Sequence, residues 1–343
     1  MRVILFCNLQ YAFAILKPLA KELKKRDFEY IWYVPKKLQE FFPFYLEPYT
    51  TSIKDLKRFN SDAIFVPGND LPWYLRGVKV QIFHGLAGEK KGHFRIRDYF
   101  DLYLTQGPYF TQRFKELSKK HKNFLVAETG WSKLDPLFNV SKDVKDKKEL
   151  YLKRSNAKKI ILYAPTFSPS LTSANLLFED ILKLTQNEDI LILIKFHDKM
   201  DKKIVNRYSK IKSKRLIIVN EDDITPNLQI ADIMISDTSS VVYEFLLLNK
   251  PVITLNSQSK HIYWENIKDH NLLQEKIKLL INNTDLYKEK RYKIIELYHP
   301  YNDGKSTARM LDATKRYIQE YGVPKKRKIP LHRKIKMIKK YGL

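Results

Sequence analysis

Short apolar, β-branched runs alternate along this chain with longer segments in which apolar residues recur at helical spacing. Runs at 2–6, 30–34, 63–66, 79–83, 102–105 and 124–127 predict strands, and the patterns at 12–25 and 108–117 predict helices. A Phe-, Tyr- and Pro-rich segment after 30–34 reads as packing material. From 139 to 156 the chain becomes charged and loses apolar periodicity, which suits an inter-domain connection or an exposed helix. A second series of strands then begins at 159–163 and continues at 190–196, 216–219, 233–235 and 252–255. Two successive series of strand–helix alternation predict an α/β protein of two doubly wound, Rossmann-like parallel-sheet domains. The expected divisions are 1–150, 151–305, and 306–343 for a closing helix with a basic tail.

Composition is consistent with that frame. A chain of 343 residues is long enough for two cores, and 44% hydrophobic with 13% aromatic residues is a globular balance. The single cysteine, Cys7, excludes an internal disulfide and fits a reducing compartment. It lies in the first apolar run, where a buried inert thiol is expected. The run VILFC is short for a secretion signal, and Asn8 and Gln10 interrupt its continuation. No stretch reaches the roughly 18 apolar residues that span a bilayer. The expected location is the cytoplasm.

A formal charge of +25 changes the picture, because such an excess implies a polyanionic partner. Scattered lysines such as Lys21, Lys24 and Lys25 are ordinary solvated helix faces. The tail, PKKRKIPLHRKIKMIKKYGL over 324–343, is not. Pro330 suits a helix start, and Leu331, Ile335 and Ile338 recur at helical spacing. Lys325, Lys326, Arg327, Arg333, Lys334, Lys336, Lys339 and Lys340 fill the remaining surface. Such a helix can lie on the anionic inner face of the cell membrane, each basic residue contributing about 1 kcal/mol. A plainly solvated tail is the alternative. No aromatic-interleaved or recognition-helix pattern supports a nucleic-acid partner.

The candidate chemistry follows the predicted strands, where doubly wound domains bind ligands, in a cleft between the two. Residues 233–255, IMISDTSSVVYEFLLLNKPVITL, read as strand, polar turn, apolar helix and strand. Asp237, Thr238, Ser239 and Ser240 stand where the helix begins, and unpaired N–H groups there hold phosphate. Helix capping by Asp237 or Ser239 is the plainer reading, but two adjacent serines exceed what a cap needs. Glu244, one turn in, is placed to bind a ribose or polyol hydroxyl, or is a partly exposed acid. His84 and Gly85 follow 79–83 in FHGLAGEKKG, where Gly88 allows close approach and Lys90 and Lys91 bring charge. Thr166 and Ser168 follow 159–163, and His197 follows 190–196. Asp222, Asp223 and Asp237 are too isolated to form a metal site, and neither metal nor cofactor is expected.

Together, HG…KK over 84–91, GWSKLD over 130–135, YAPTF over 163–167, IKFHD over 194–198, SDTSSVVYEFLLLNKPVI over 236–253 and DGKSTAR over 303–309 carry a resemblance. The chain resembles the CDP-glycerol glycerophosphotransferases, the teichoic-acid and capsule polyol-phosphate transferases. The resemblance implies a GT-B architecture and a CDP-polyol donor held mainly by the C-terminal domain. It further implies an acceptor on the N-terminal side, anchored in the membrane, and peripheral attachment of the enzyme to the cytoplasmic face. His84 and His197 match the family's two histidines, and Thr166, Ser239 and Ser240 match donor-phosphate contacts. Phe83, Ser168 and Asp198 stand where the family usually has Trp, Arg and Pro.

The expected reaction is attack by an acceptor hydroxyl on the polyol-bearing phosphorus, with CMP leaving. His84 is the candidate base and His197 the stabiliser of the pyrophosphate, with swapped roles left open. The alternatives are a GT-B glycosyltransferase using a nucleotide sugar, and a non-catalytic basic binding protein.

Overall fold

The structure, a computed structural model, describes residues 1–343 except 87–92, 222, 260–261, 283–284 and 326. Gly88, Lys90, Lys91, Asp222 and Lys326 therefore lie outside the described residues. The chain forms two compact units, Met1–Pro136 with Leu297–Leu343, and Leu137–Glu296.

The first unit is built on seven parallel strands: β1 (Arg2–Phe6), β2 (Glu29–Tyr33), β3 (Tyr49–Thr50), β4 (Ala63–Val66), β5 (Val78–Gln81), β6 (Leu102–Thr105) and β7 (Leu125–Glu128). Their order is β3-β2-β1-β4-β5-β6-β7, so the winding reverses between β1 and β4. The middle strands are buried along almost their whole length, as parallel strands covered on both faces must be. Phe42 and Phe44 of the aromatic segment pack at 5.5 Å on the Trp32 ring. Neighbouring Tyr45 and Leu46 are exposed.

The second unit has six parallel strands: β8 (Lys159–Tyr163), β9 (Ile190–Ile194), β10 (Leu216–Ile218), β11 (Ile233–Ser236), β12 (Val252–Leu255) and β13 (Glu265–Ile267). Their order is β10-β9-β8-β11-β12-β13, with the reversal between β8 and β11. The core gathers alternate residues of these strands, including Ile161, Tyr163, Ile192, Ile194, Ile233 and Ile235, against Leu177, Ile181 and Tyr208. Both sheets are doubly wound as expected, and each reversal leaves a crevice where consecutive loops part.

The charged stretch expected as a connection or exposed helix forms the Lys142–Ser155 helix. Ser141 caps its start by accepting from the Val144 N–H, and Asn156 ends it at φ 55°. Its lysines tie it to the second unit, Lys147 to Glu221 at 2.7 Å and Lys148 to Asp232 at 2.8 Å. The units thus divide at Pro136 rather than near 150, and the chain rejoins the first unit at Leu297 rather than after 305. There Tyr298 stacks on Tyr109 at 5.1 Å, and both oxygens of buried Asp135 accept from the N–H groups of Ser306 and Thr307. Two of the motifs behind the resemblance, 130–135 and 303–309, are therefore one interlocked structural unit. Gly130 at φ +81° is required there, since a Cβ would lie 2.3 Å from Ser306 Oγ.

Candidate functional site

In the first unit the loop after β5 presents His84 to solvent, on a backbone turned at Phe83 into φ 61°. His84 Nδ1 lies 3.1 Å from the Pro67 carbonyl oxygen in the loop after β4. A carbonyl can only accept, so Nδ1 carries the proton and Nε2 carries the lone pair of the neutral ring. Gln81, buried in β5, donates to the same carbonyl at 3.3 Å and fixes its position. The Tyr11 ring lies 5.1 Å from the imidazole, in a tilted contact. Gly85 is uncrowded: among the described residues a Cβ there would meet no atom within 4 Å, and its carbonyl accepts from Gln106. Cys7, just after β1, is buried, and burial pushes its thiol up to about 12, so it is no nucleophile at neutral pH.

In the second unit, Asp237 follows β11 and is buried. One of its oxygens accepts from the Thr166 N–H at 2.9 Å, and the other from the N–H and hydroxyl of Ser173, both at 2.9 Å. Ser236 adds a bond from its hydroxyl to the Ala164 carbonyl at 2.7 Å. These contacts staple the loops after β8 and β11 across the point where the winding reverses. Asp237 was expected in the phosphate seat or as a cap; it caps no helix, and its side chain faces the 166–173 loop. Its carboxylate is spent on the 166–173 loop, and the short Val241–Leu246 helix begins after Ser240 with no side-chain cap. Burial raises the Asp237 pKa, partly offset by those hydrogen bonds.

Thr238 is half-buried and its hydroxyl accepts from the Gln258 N–H at 3.1 Å, which ties in the loop after β12. Ser239 is half-buried and Ser240 exposed, so both stand at the surface of that crevice. Thr166 and Ser168 are half-buried in the stapled loop. His197 follows the end of β9, and its ring packs 4.4 Å from Phe167 of the same loop. Its Nδ1 accepts the Lys199 N–H at 3.1 Å, so the neutral ring carries its proton on Nε2. Its pKa is lowered, first by partial burial and then by Lys199 and Lys195 against the opposing pull of Asp198. Glu244 is buried on the helix rather than partly exposed.

Sequence reasoning missed Pro67, Tyr11, Ser173 and Gln258. Pro67-Gly68 after an apolar strand was a readable turn signal. The others act through backbone groups or ring contacts that leave no spacing pattern. Among the described residues, no group of three or more His, Cys, Asp or Glu side chains is arranged to hold a metal ion.

The tail forms the Leu331–Tyr341 helix, which begins after Pro330 as expected. It docks on the first unit. Met337 is fully buried, and the Tyr341 ring packs on Phe6 at 5.6 Å. Three of the basic residues expected to face lipid are engaged here instead. Arg327 pairs with buried Asp101 and donates to the carbonyls of Asp98, Phe100 and Asn123. Arg333 pairs with Asp98 at 2.6 Å, and Lys340 with Asp70 at 3.0 Å. Lys325, Lys336 and Lys339 are exposed, and Lys334 is half-exposed. No helix among the described residues is long and apolar enough to cross a membrane.

A family model described as CDP-Glycerol:Poly(glycerophosphate) glycerophosphotransferase matches residues 27–315. The teichoic acid ribitol-phosphate polymerase TarL of Staphylococcus aureus is 25% identical over 264 residues, covering 70% of this chain and 46% of TarL. The teichoic acid glycerol-phosphate primase of Bacillus subtilis is 33% identical over 195 residues, 51% of this chain and 49% of the primase. The chain thus spans about half the length of these curated relatives. Among solved structures, the wall teichoic acid polymerase TagF aligns with TM-score 0.64 at 19% identity, over 93% of this chain and 89% of that one. The UDP complex of Staphylococcus aureus MnaA aligns with TM-score 0.67 at 17% identity, over 93% and 97%. These likenesses establish the GT-B fold of two parallel-sheet α/β domains.

Proposed function

The chain belongs to the CDP-glycerol:poly(glycerophosphate) glycerophosphotransferase family, and from that premise we propose that it is a polyol-phosphate transferase. The donor is a CDP-activated glycerol phosphate or ribitol phosphate. The acceptor is a hydroxyl of a membrane-linked cell-wall or capsule glycan or lipid. The observation that carries this reading is the opposite tautomer of the two family-matched histidines: a lone pair at His84 Nε2, a proton at His197 Nε2.

In the proposed reaction, His84 Nε2 takes the proton of the acceptor hydroxyl as its oxygen attacks the phosphorus that bears the polyol. A new P–O bond forms, the P–O bond to the CMP phosphate breaks, and CMP leaves with the bonding pair. His197 donates from Nε2, and the hydroxyls of Thr166, Ser239 and Ser240 donate to phosphate oxygens on which charge builds. Phosphoryl transfer asks the protein mainly for positioned donors, and these supply them without a metal ion or cofactor.

The C-terminal helix supports attachment to the inner face of the cell membrane. With Met337 and Tyr341 turned inward, its outer surface carries Leu331, 72% exposed, and Ile335, 45% exposed, beside Lys336 and Lys339. An apolar stripe edged by lysines matches an anionic lipid surface.

The test is a donor screen with CDP-glycerol, CDP-ribitol and nucleotide sugars, with and without chelator, scored for CMP or UDP release. CMP release from a CDP-polyol, unaffected by chelator, is expected. Ser239→Ala with Ser240→Ala should raise the donor KM about tenfold or more, each hydroxyl–phosphate bond being worth about 1–3 kcal/mol. UDP release from a nucleotide sugar, or unchanged donor binding in the double variant, would overturn the reading.

A further inference from the structure

We propose that the last turn of the C-terminal helix, through Tyr341 and Lys340 on Asp70, is a positioning device for the His84 imidazole. The inference rests on reading His84 as the base, and adds to it the element that holds the ring in place.

Asp70 lies in the loop between β4 and β5, three residues after Pro67, whose carbonyl receives the His84 Nδ1–H. Three donors converge on Asp70: Asn8 Nδ2 at 3.0 Å, the Tyr341 hydroxyl at 3.1 Å and Lys340 Nζ at 3.0 Å. Asn8 follows the end of β1, and a Cβ on Gly68 would lie 2.9 Å from its Oδ1. The loop is thus gripped at Gly68 by close packing and at Asp70 by charge-assisted bonds. Two of the three grips on Asp70 come from residues more than 250 positions further along the chain. Tyr341 is held in turn by Phe6 and Tyr33 ring contacts, and the Tyr74 hydroxyl donates to the Gly342 carbonyl.

Only Gly68 and Asn69 separate Pro67 from Asp70, so a displacement of Asp70 is passed along two residues to the Pro67 carbonyl. If the carbonyl drifts, the Nδ1–H loses the acceptor that keeps Nε2 unprotonated and aimed. The same carbonyl also stabilises the imidazolium formed after proton transfer, so its loss lowers the pKa of His84. Among the described residues, the titratable groups around the ring include Tyr11, whose phenol senses Asp70, and His93, which senses His84. Neither residue is itself substituted in the variants below, and Tyr11 feels the changes at Tyr341 and Lys340 through Asp70.

The experiment uses the full chain with Tyr341→Phe and Lys340→Met together. Phenylalanine keeps the ring packing on Phe6 and Tyr33, so folding is preserved and is checked by the melting temperature. The ¹⁵N spectra of histidine-labelled protein report the tautomer and pKa of His84, assigned by its loss in His84→Gln. The expected result is a fall in the His84 pKa by about half a unit or more, with a mixed tautomer. In parallel, CMP release from CDP-glycerol onto a synthetic glycerol-phosphate oligomer should lose kcat about tenfold with donor KM unchanged. Tyr341→Phe with Lys340→Arg should recover most of both. An unchanged His84 tautomer and pKa in the Phe/Met variant would overturn the inference, even where His84→Gln is inactive. Full activity of His84→Gln would instead sink the base assignment, and leaves the Asp70 contact to be judged by the spectra alone.

Discussion

At the scale of single residues, one backbone group sets the tautomer of each imidazole. A carbonyl facing Nδ1 makes His84 an acceptor at Nε2, and an N–H facing Nδ1 makes His197 a donor there. Alanine at either position should cut turnover about 100-fold or more, the usual scale for a positioned proton-transfer or charge-stabilising group. Glutamine separates the two roles. Its amide can donate to phosphate but cannot accept a proton at neutral pH, so His197→Gln should recover part of the lost turnover and His84→Gln none. The opposite pattern in steady-state CMP release would swap the assignments. The positions of both histidines were legible because each stands just after a strongly apolar strand. Their tautomers were not, since these depend on backbone groups of Pro67 and Lys199 that carry no side-chain signature. Asp237 shows the converse: an acid at a helix start looks like a cap, and only tertiary contact reveals that its partners are Thr166 and Ser173.

At the scale of elements, the central strands were readable because burial on both faces leaves continuous apolar runs. The edge strands β3 and β13 were not, being two and three residues long and partly polar. Nor could the charged Lys142–Ser155 segment be settled as helix or connection, because Ser155 is its only buried residue and no apolar stripe marks it. The join between the segment after β7 and the chain from Leu297 onward yields a pH prediction. His299 is buried, and its Nε2 accepts the Trp131 N–H at 3.0 Å, which requires a neutral ring. Burial foremost, and then Arg309, lowers its pKa to about 4. The unfolded chain binds the proton near 6.5, so this stabilisation is complete above that pH and is lost as pH falls toward and through 4. The loss amounts to about 3 kcal/mol at the acid end. His299→Gln, whose carbonyl can still accept from Trp131, should flatten the acid limb of stability between pH 6.5 and 4 in denaturant titrations. An acid limb identical to wild type would show that other groups govern it.

At the scale of the whole molecule, the +25 charge and the basic tail were visible from composition, but the docking of one side of the tail on the first unit was not. Periodicity placed Leu331, Ile335 and Ile338 on one stripe, and could not show that Asp70, Asp98 and Asp101 wait on the first unit for Lys340, Arg333 and Arg327. Docking these three cations leaves Lys336 and Lys339 facing outward, where the proposed lipid contact lies. Lys336→Gln with Lys339→Gln removes two charges from the outer face and no contact from the inner one. At about 1 kcal/mol per charge, binding to vesicles of anionic lipid should weaken roughly 30-fold in co-sedimentation, with the melting temperature unchanged. Wild-type binding should fall as salt rises, because screening shortens the reach of exposed charges to about 10 Å at 0.1 M. Arg333→Gln should do the reverse, lowering the melting temperature by removing the ion pair with Asp98 while leaving vesicle binding close to wild type. Undiminished binding by the outer-face variant would move the lipid contact off this helix, and a loss of binding in Arg333→Gln alone would mean that docking and lipid compete for the same face.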